Sequence, residues 1–338
     1  MNDFSHGGDL EAISKELNCD IEDIIDLSSN INFIKPSISI DFNSIDISPY
    51  PSYSKLYSTI ATHYNVSKDQ LELFNGASSA IFSLFRHLRD NLALCYIYSP
   101  AYLEYKKSAQ LFGYHIELIN RFTNLHTNIE ENSLVVFVNP STPDGTFYDM
   151  ELLVQKWIDK NCTIIIDESF LEFTSYDSIS YYINSYDKLY IIKSMTKFYS
   201  SAGIRVGAIL SSKNNIENIK KTEPLWKISQ FDQHYILEVL KDKQFPRISR
   251  AINIKNKELL SNYLKNSKHI QKVYESSANY ILVQLKFISS VEFQEILKPY
   301  KVVVRDCSNF DFLDDSFIRI AVKSEKDIKQ LFHSLENI

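Results

Sequence analysis

Between residues 53 and 240, short apolar segments alternate with amphipathic helical patterns, and this alternation limits the folds open to the chain. Apolar runs predict buried strands at 93–98, 134–138, 163–166 and 188–192, and helical periodicity predicts helices at 53–64, 78–89, 101–112 and 148–159. Buried strands interleaved with helices predict an α/β domain whose mostly parallel sheet is covered on both faces.

The remaining segments predict a second, smaller α+β unit. Residues 9–18 indicate a short helix and 24–27 a strand, and 213–245 indicate one long connecting helix in which Pro224 interrupts the pattern. Helices are predicted at 248–267, 290–298 and 324–335, and strands at 280–285, 301–304 and 317–321. We expect a large domain of residues 41–240 and a small domain of residues 1–40 and 241–338, because both chain ends would then flank one cleft.

Composition limits the partners that can be expected. The 338 residues are 44% hydrophobic and 23% charged, with a formal net charge of -6, which is typical of a globular protein and gives no reason to expect nucleic acid. There is no apolar run of about 18 residues or more and no signal-peptide pattern at the N-terminus, so we expect a cytoplasmic protein without a membrane span. The cysteines and histidines lack metal-ligand spacing, which predicts no metal site.

Residues 194–207 carry the strongest chemical signal. Lys197 follows an apolar run, Ser194 precedes it, and Arg205 follows eight positions later between two glycines. This pattern suits a lysine that forms an imine with an aldehyde cofactor while Ser194 and Arg205 hold a phosphate. An amine near cations and away from bulk water has a lowered pKa and becomes a usable nucleophile. The alternative is an ordinary surface lysine.

Two other positions point to the same cleft. Asp167 ends an apolar run, and the carboxyl end of a buried parallel strand faces the usual ligand crevice of an α/β sheet. A buried aspartate there could keep the ring nitrogen of a cofactor protonated, although a helix N-cap or a solvent-facing acid is the alternative. Tyr102 begins the helix after a predicted strand and could stack on the cofactor ring, but one tyrosine among 21 is a weak signal.

A glycine turn opens the helix predicted from residue 78. Free N–H groups and the positive end of the helix dipole would face an anion there. We assign a cofactor phosphate to Gly76, Ala77 and Ser78, with Ser194 and Arg205 closing the site. An ordinary serine N-cap would explain the same segment.

Together these segments resemble the class I/II aminotransferase family, which are fold-type I enzymes with the cofactor pyridoxal 5'-phosphate (PLP). Four further segments are similar to those of histidinol-phosphate aminotransferases and, more specifically, threonine-phosphate decarboxylases: residues 5–8, 27–32, 50–51, and 305–310 followed by 319–322. The resemblance covers nearly the whole chain. It implies an aspartate aminotransferase-like fold, with a large domain built on a mostly parallel sheet and a smaller α+β domain.

The resemblance also implies roles for individual residues. Lys197, Asp167 and Tyr102 would be catalytic, and Tyr50 would reach the cofactor phosphate of a neighbouring subunit in a homodimer with shared active sites. Arg319 would clamp the substrate α-carboxylate with help from Asn32. The group that would recognise a phosphate on the substrate comprises Arg305, His6, Gly7 and Gly8. From the residues alone, two arginines on adjacent strands could equally be surface charges.

The chain departs from the family pattern at one loop. Residues 139–145 read Asn-Pro-Ser-Thr-Pro-Asp-Gly, so Thr142 stands where the resemblance implies an asparagine bonded to the phenolic oxygen of the cofactor. Phe170 stands where related aminotransferases often carry a tyrosine that supports the same oxygen. We therefore expect this oxygen to be held less firmly, with Thr142 as a shorter cofactor-binding group.

The reaction expected from the resemblance is decarboxylation of L-threonine phosphate or L-serine phosphate to an amino-alcohol phosphate. The alternative is an aminotransferase acting on a phosphorylated substrate such as histidinol phosphate, with glutamate as amino donor. A catalytically silent relative acting as a regulator is a third hypothesis. The intact Asp167, Lys197 and Arg205 argue against it.

Overall fold

The computed structural model describes residues 8–336, and within them the chain forms ten α-helices and thirteen β-strands. The helices are α1 Leu10–Leu17, α2 Ser54–His63, α3 Gly76–Leu88, α4 Glu104–Leu111, α5 Glu151–Asp159, α6 Lys213–Thr222, α7 Gln230–Val239, α8 Phe245–Asn266, α9 Ser290–Leu297 and α10 Glu325–Glu336. The strands are β1 Ile25–Asp26, β2 Leu71–Asn75, β3 Leu94–Ser99, β4 His115–Asn120, β5 Leu134–Val138, β6 Thr163–Asp167, β7 Leu189–Ser194, β8 Val206–Leu210, β9 Ile270–Val273, β10 Tyr280–Leu285, β11 Val302–Val303, β12 Arg305–Asp306 and β13 Phe317–Ala321.

The large sheet has seven strands in the order β2-β8-β7-β6-β5-β3-β4. Strands β3 to β7 are mutually parallel, whereas β8 runs antiparallel to both β2 and β7. The four predicted inner strands are confirmed. Because these strands are parallel, their carboxyl ends meet at one edge of the sheet, where α/β proteins bind ligands.

Side-chain alternation gives the large sheet two buried faces. Ile164 and Ile166 of β6 pack in one cluster with α2, α5 and α7, whereas Ile165 packs in another with α3, α4 and α6. Successive side chains of a strand point to opposite faces, so a strand buried on both faces must be apolar throughout. The continuous apolar runs in the sequence therefore identified the central strands.

A smaller antiparallel sheet, in the order β12-β13-β10-β9, is built from the C-terminal part of the chain. Its core includes residues of α8, α9 and α10, such as Leu260, Phe293 and Leu331. The N-terminal segment joins this part through β1, which pairs in parallel with β11 at Ile25 and Val302. This pairing brings the two ends of the chain together, while the domain boundaries at residues 40 and 240 stay a prediction.

The prediction of one connecting helix over 213–245 is wrong. The segment forms α6 and α7, and α8 begins at Phe245. Pro224 follows α6 and cannot continue its hydrogen-bond ladder. Ser229 then starts α7 with a capping box that includes Asp232. In the described part of the chain, no helix combines the length and apolarity needed to cross a membrane.

Candidate active site

A cleft of about 310 Å³ lies at the carboxyl edge of the large sheet. The large sheet contributes Asp167 and Ser194 from the ends of β6 and β7. The N-terminal segment contributes residues 28–30, and the small sheet contributes Arg305 and Arg319. Sequence positions separated by almost the whole chain therefore meet at one site.

One end of the cleft is shaped by Gly76 at the start of α3. This residue has φ +76, and a Cβ there would lie only 2.8 Å from Arg205 Cζ. Glycine is thus required both by the backbone conformation and by the close approach of the arginine. The guanidinium and the positive end of the α3 dipole converge on one point, which is an arrangement that binds phosphate.

Gly207 brings β8 against the same helix start. A Cβ at Gly207 would lie 2.5 Å from Ala77 N, so any larger residue would push the N-terminus of α3 away from the sheet. Hydroxyl groups surround this point: Ser78 Oγ lies 3.3 Å from the Tyr102 hydroxyl, and Ser194 Oγ lies 2.8 Å from Thr196 Oγ1. The predicted phosphate-binding residues are thereby brought together with Thr196, which the sequence analysis did not identify.

Asp167 is 3% exposed and holds its carboxylate in a fixed orientation. Its Oδ1 accepts from Ser169 N at 2.8 Å, and its Oδ2 accepts from the Tyr105 hydroxyl at 2.8 Å. Burial raises the pKa of Asp167 while these two hydrogen bonds oppose the rise. A buried, oriented carboxylate of this kind is suited to holding a proton on a cationic ring nitrogen.

Lys197 lies three residues beyond β7 and lines the same cleft. Burial lowers the pKa of Lys197 to about 8, and the nearby Arg319 and Arg205 act in the same direction. The amine therefore loses its proton more readily than an ordinary lysine does, which makes it a competent nucleophile and proton carrier.

At the other end of the cleft, Arg305 and Arg319 are direct cross-strand partners on β12 and β13. Both line the cleft and are at most 8% exposed, which excludes the alternative of two surface charges. Arg319 donates from Nη1 to Thr142 Oγ1 at 3.2 Å and from Nη2 to the Ser28 carbonyl at 3.0 Å. Arg305 donates from Nη2 to Asn309 Oδ1 at 2.8 Å.

Thr142 lines the cleft and is 4% exposed. Its hydroxyl oxygen accepts from Arg319, and the same hydroxyl lies within hydrogen-bond reach of the Tyr280 side chain. Phe170 also lines the cleft and brings no donor. The two departures from the family pattern thus lie side by side at the same site.

Asn32 is placed differently from the expectation that it would help bind a carboxylate. Its backbone N–H donates to the Lys197 carbonyl at 3.1 Å, and its Nδ2 donates to the Phe198 carbonyl and to Ser249 Oγ, each at 2.7 Å. These contacts make Asn32 a support for the backbone that carries Lys197. Asn30, two residues earlier, lines the cleft instead.

Gly8 and Tyr50 lie at the margins of the site. A Cβ at Gly8 would lie 3.5 Å from the Cβ of Ser29, a cleft residue, whereas His6 and Gly7 lie outside the described residues. Tyr50 is 75% exposed and stacks on Trp226, with ring centroids 4.1 Å apart. It does not line the cleft of its own chain, so its predicted reach to a neighbouring subunit stays a prediction.

The family model of aminotransferase class I and II matches residues 23–335. The chain belongs to this family. Its fold is the aspartate aminotransferase-like fold, as predicted, and its cofactor is PLP. The cleft fits this cofactor, because Arg205 lies against Gly76 at the N-terminus of α3 and can bind a phosphate there, Asp167 can hold the ring nitrogen, and Lys197 supplies an amine.

Three curated relatives and one solved structure illustrate the similarity. The adenosylcobalamin biosynthesis bifunctional protein CobDQ of Leptospira interrogans is 29% identical over 100% of this chain, which spans 41% of that protein. The histidinol-phosphate aminotransferase of Methanocaldococcus jannaschii is 27% identical, with 100% and 95% of the two chains covered. A protein of Caldanaerobacter subterraneus provisionally named threonine-phosphate decarboxylase is 28% identical, with 92% and 89% covered. The crystal structure of the Clostridium acetobutylicum histidinol-phosphate aminotransferase superposes with a TM-score of 0.79 at 29% identity, covering 92% and 98%.

Sequence reasoning missed several residues of the site. Tyr105, which orients Asp167, lies three residues after Tyr102. This spacing places both tyrosines on one face of the predicted helix, and it is the signal that could have identified Tyr105. Phe310 and Asn30 lie within segments that had been singled out, but nothing in their residue type distinguished them from their neighbours.

Proposed function

We propose that the protein decarboxylates an O-phospho-amino acid, L-threonine phosphate or L-serine phosphate, to an amino-alcohol phosphate and carbon dioxide. The observation that carries the proposal is the cross-strand pair Arg305 and Arg319, which places two guanidinium groups in the cleft that Lys197 also lines. Two fixed cations suit a short substrate with two anionic ends.

PLP, when bound, supplies an electron sink for whichever substrate bond stands perpendicular to its ring. The protein residues decide which bond that is by orienting the substrate. Arg319 would hold the α-carboxylate, and Arg305 would hold the phosphate. A substrate fixed at both ends could not rotate freely about Cα, so Arg305 and Arg319 together would decide which Cα bond is presented for cleavage. Lys197 Nζ would return a proton to Cα after carbon dioxide leaves.

The size of the cleft also favours a short substrate. A volume of about 310 Å³ is small for a site that must accept a cofactor ring together with its substrate. Phe310, 5% exposed, lines the cleft beside Arg305, whose Cζ lies 5.5 Å from the ring centroid.

Transamination of a phosphorylated substrate such as histidinol phosphate, with glutamate as donor, is the second candidate. One relative and one solved structure described above are named histidinol-phosphate aminotransferase, and another relative is named threonine-phosphate decarboxylase, at nearly equal identity. The names alone therefore do not distinguish transamination from decarboxylation. The same Lys197, Asp167 and Arg205 would serve either reaction.

Product analysis tests the choice. The PLP-loaded protein is incubated with L-threonine phosphate and with L-serine phosphate, first alone and then with 2-oxoglutarate. Carbon dioxide and an amino-alcohol phosphate without any keto acid are expected. Glutamate formed only in the presence of 2-oxoglutarate would instead show transamination and would overturn the proposal.

We further propose that the enzyme is a homodimer in which Tyr50 reaches the cofactor phosphate of the partner chain. Tyr50, Leu225 and Trp226 are each at least 50% exposed, and large apolar side chains grouped on a surface are typical of an interface. The Asn75 side chain donates to the Lys227 carbonyl at 3.4 Å, which connects this surface to the start of α3. Sedimentation analysis should give twice the mass of one chain.

A further inference from the structure

Tyr280 lies beneath the substrate end of the cleft and has no role assigned so far. It is the first residue of β10 and is fully buried. In the small sheet, Leu282 of β10 is the cross-strand partner of Arg319, and Arg319 is in turn the partner of Arg305. Because side chains two apart on a strand share a face, Tyr280 lies on the same face as both arginines.

The ring of Tyr280 supports Arg319 directly. Arg319 Cζ lies 5.2 Å from the ring centroid, and the edge of the ring packs against Phe170 at 5.0 Å between centroids. A guanidinium within about 6 Å of an aromatic face is attracted to it, most strongly where water is excluded. Within residues 8–336, Arg319 has two hydrogen bonds to neutral oxygens, no ion pair, and a buried Nε without a partner.

The hydroxyl of Tyr280 supports Arg319 through a second route. It donates to the Ser141 carbonyl at 2.7 Å, directly before Thr142, whose Oγ1 accepts from Arg319. Burial raises the pKa of Tyr280, so the hydroxyl keeps the proton that it donates. The same loop is held close by a hydrogen bond from Ser277 N to the Gly145 carbonyl at 2.7 Å.

We propose that Tyr280 is a positioning residue that fixes the guanidinium of Arg319 for the substrate carboxylate, through its ring directly and through its hydroxyl by way of Thr142. This inference rests on the proposed role of Arg319 and deepens it. A buried cation without a carboxylate partner is free to turn unless neighbouring groups hold it, and only one orientation presents two parallel N–H groups to a carboxylate.

The test compares ligands that differ by one carboxylate. L-serine phosphate and ethanolamine phosphate are each mixed rapidly with the PLP-loaded protein. Binding is read from the first change in the absorbance of the bound cofactor, before turnover can convert L-serine phosphate into ethanolamine phosphate. Tyr280→Leu removes both the ring and the hydroxyl, and should weaken L-serine phosphate about tenfold relative to ethanolamine phosphate. Tyr280→Phe keeps the ring and should change the ratio of the affinities for L-serine phosphate and ethanolamine phosphate by about threefold. If Tyr280→Leu fails to fold, Tyr280→Phe still tests the proposal.

Tyr114 offers a matched control. Its hydroxyl donates to the Phe85 carbonyl at 2.8 Å, and Arg89 Cζ lies 5.5 Å from its ring centroid, yet neither Phe85 nor Arg89 lines the cleft. Tyr114→Phe and Tyr114→Leu make the same chemical changes elsewhere and should leave the affinity ratio unchanged. Equal weakening of both ligands by the Tyr280 variants, or no change, would show that Tyr280 only stabilises the fold and would overturn the inference.

A second ligand pair separates this inference from the proposed substrate. L-glutamate and 4-aminobutyrate also differ by an α-carboxylate. If the unmodified protein binds L-glutamate and 4-aminobutyrate but neither phosphate ligand, the phospho-amino acid proposal fails. The ratio of the affinities for L-glutamate and 4-aminobutyrate in the Tyr280 variants then still decides the role of Tyr280. If neither carboxylate ligand binds better than its counterpart, Arg319 is not a carboxylate clamp and both proposals fail.

Discussion

Lys193 and Lys197 lie four residues apart, one behind the cleft and one within it, and each has a buried carboxylate nearby. Lys193 is 5% exposed and forms an ion pair with Glu168, whose Oε2 also accepts from Ser178 Oγ at 2.6 Å. Lys197 shares the cleft with Asp167, but within residues 8–336 it forms no ion pair, and its pKa is lowered to about 8.

The difference follows from strand alternation. Ser194 of β7 faces the cleft, so its neighbour Lys193 must face away, where its Nζ lies 5.0 Å from the centroid of the Tyr64 ring. A buried lysine in direct contact with a carboxylate is fixed in place, because removing either partner leaves the other charge buried and uncompensated. A lysine held near arginines without such a contact is destabilised as a cation and becomes reactive. The same residue type is thus structural on one side of the sheet and chemical on the other.

The largest expected effect is that of Lys197→Ala. Loss of the amine should remove the covalently bound cofactor band from the absorbance spectrum and lower turnover about 1,000-fold or more. Lys257→Met is the control, because burial lowers the pKa of Lys257 to about 8 as well, but its Nζ donates to the Ala278 carbonyl and does not line the cleft. Full turnover by Lys197→Ala would contradict the assignment of the cleft lysine.

Lys193→Met tests the other half of the comparison. It leaves Glu168 buried without its cation, which should lower the free energy of unfolding by about 3–5 kcal/mol in urea denaturation. The folded fraction should keep the cofactor absorbance band, because Lys193 faces away from the cleft. The double variant Lys193→Met with Glu168→Gln should recover part of the loss, since the uncompensated charge is then gone. Loss of the band in folded Lys193→Met would remove the distinction between the two lysines.

The pH dependence of stability should distinguish the natural cofactor-free protein from Lys197→Met. The Lys197 amine has a pKa of about 8 in the folded state against an ordinary value of 10.5. Between these pH values the unfolded chain binds more protons, so this lysine makes the free energy of unfolding rise with pH across that window. Below pH 8 the folded state carries the full penalty of the buried cation, on the order of 3–4 kcal/mol at most.

Urea denaturation of both proteins at pH 7 and near pH 10 measures this effect. The stability advantage of Lys197→Met should be larger at pH 7 and should shrink as the pH rises. A constant difference between the two proteins would show that the amine of the natural protein titrates at its ordinary pKa.

The smallest expected effect is that of Tyr105→Phe. The variant removes one of the two hydrogen bonds that hold Asp167, and should lower kcat/KM about tenfold. Because the hydroxyl lowers the pKa of Asp167, its removal should also shift the acid limb of the pH–rate profile to higher pH. Tyr114→Phe should change neither quantity, and an unchanged pH profile in Tyr105→Phe would mean that Asp167 is oriented by Ser169 alone.

Much of the fold could be predicted from local patterns. Strands β5, β10 and β13 coincide with the predicted runs, because their residues are apolar or alternate cleanly. Strands β2, β4, β8 and β9 were not predicted. β4 mixes His115 and Glu117 with apolar residues at a sheet edge, where one face stays exposed. The sequence analysis predicted one helix where α6 and α7 are separate, although Pro224 interrupts the helical pattern between them.

The candidate site was predictable where chemistry requires a particular residue at a particular strand or helix end. Lys197, Asp167, Arg205 and Gly76 all line or shape the cleft as expected. The position of Asn32 could not be predicted in this way, because Asn30 and Asn32 lie in one irregular segment. Only the path of the chain decides that Asn30 faces the cleft and Asn32 does not.

The sequence alone determined the α/β architecture and singled out Lys197 and Asp167 as cleft residues, since strand periodicity and strand-end residues are local properties. The tertiary structure decided which of two nearby lysines is left unpaired, that Arg305 and Arg319 meet as cross-strand partners, and that Tyr280 lies beneath Arg319. These relations join residues far apart in the chain, and they exist only because strand register and the packing of the small sheet against the loop at Ser141 bring them within a few ångströms.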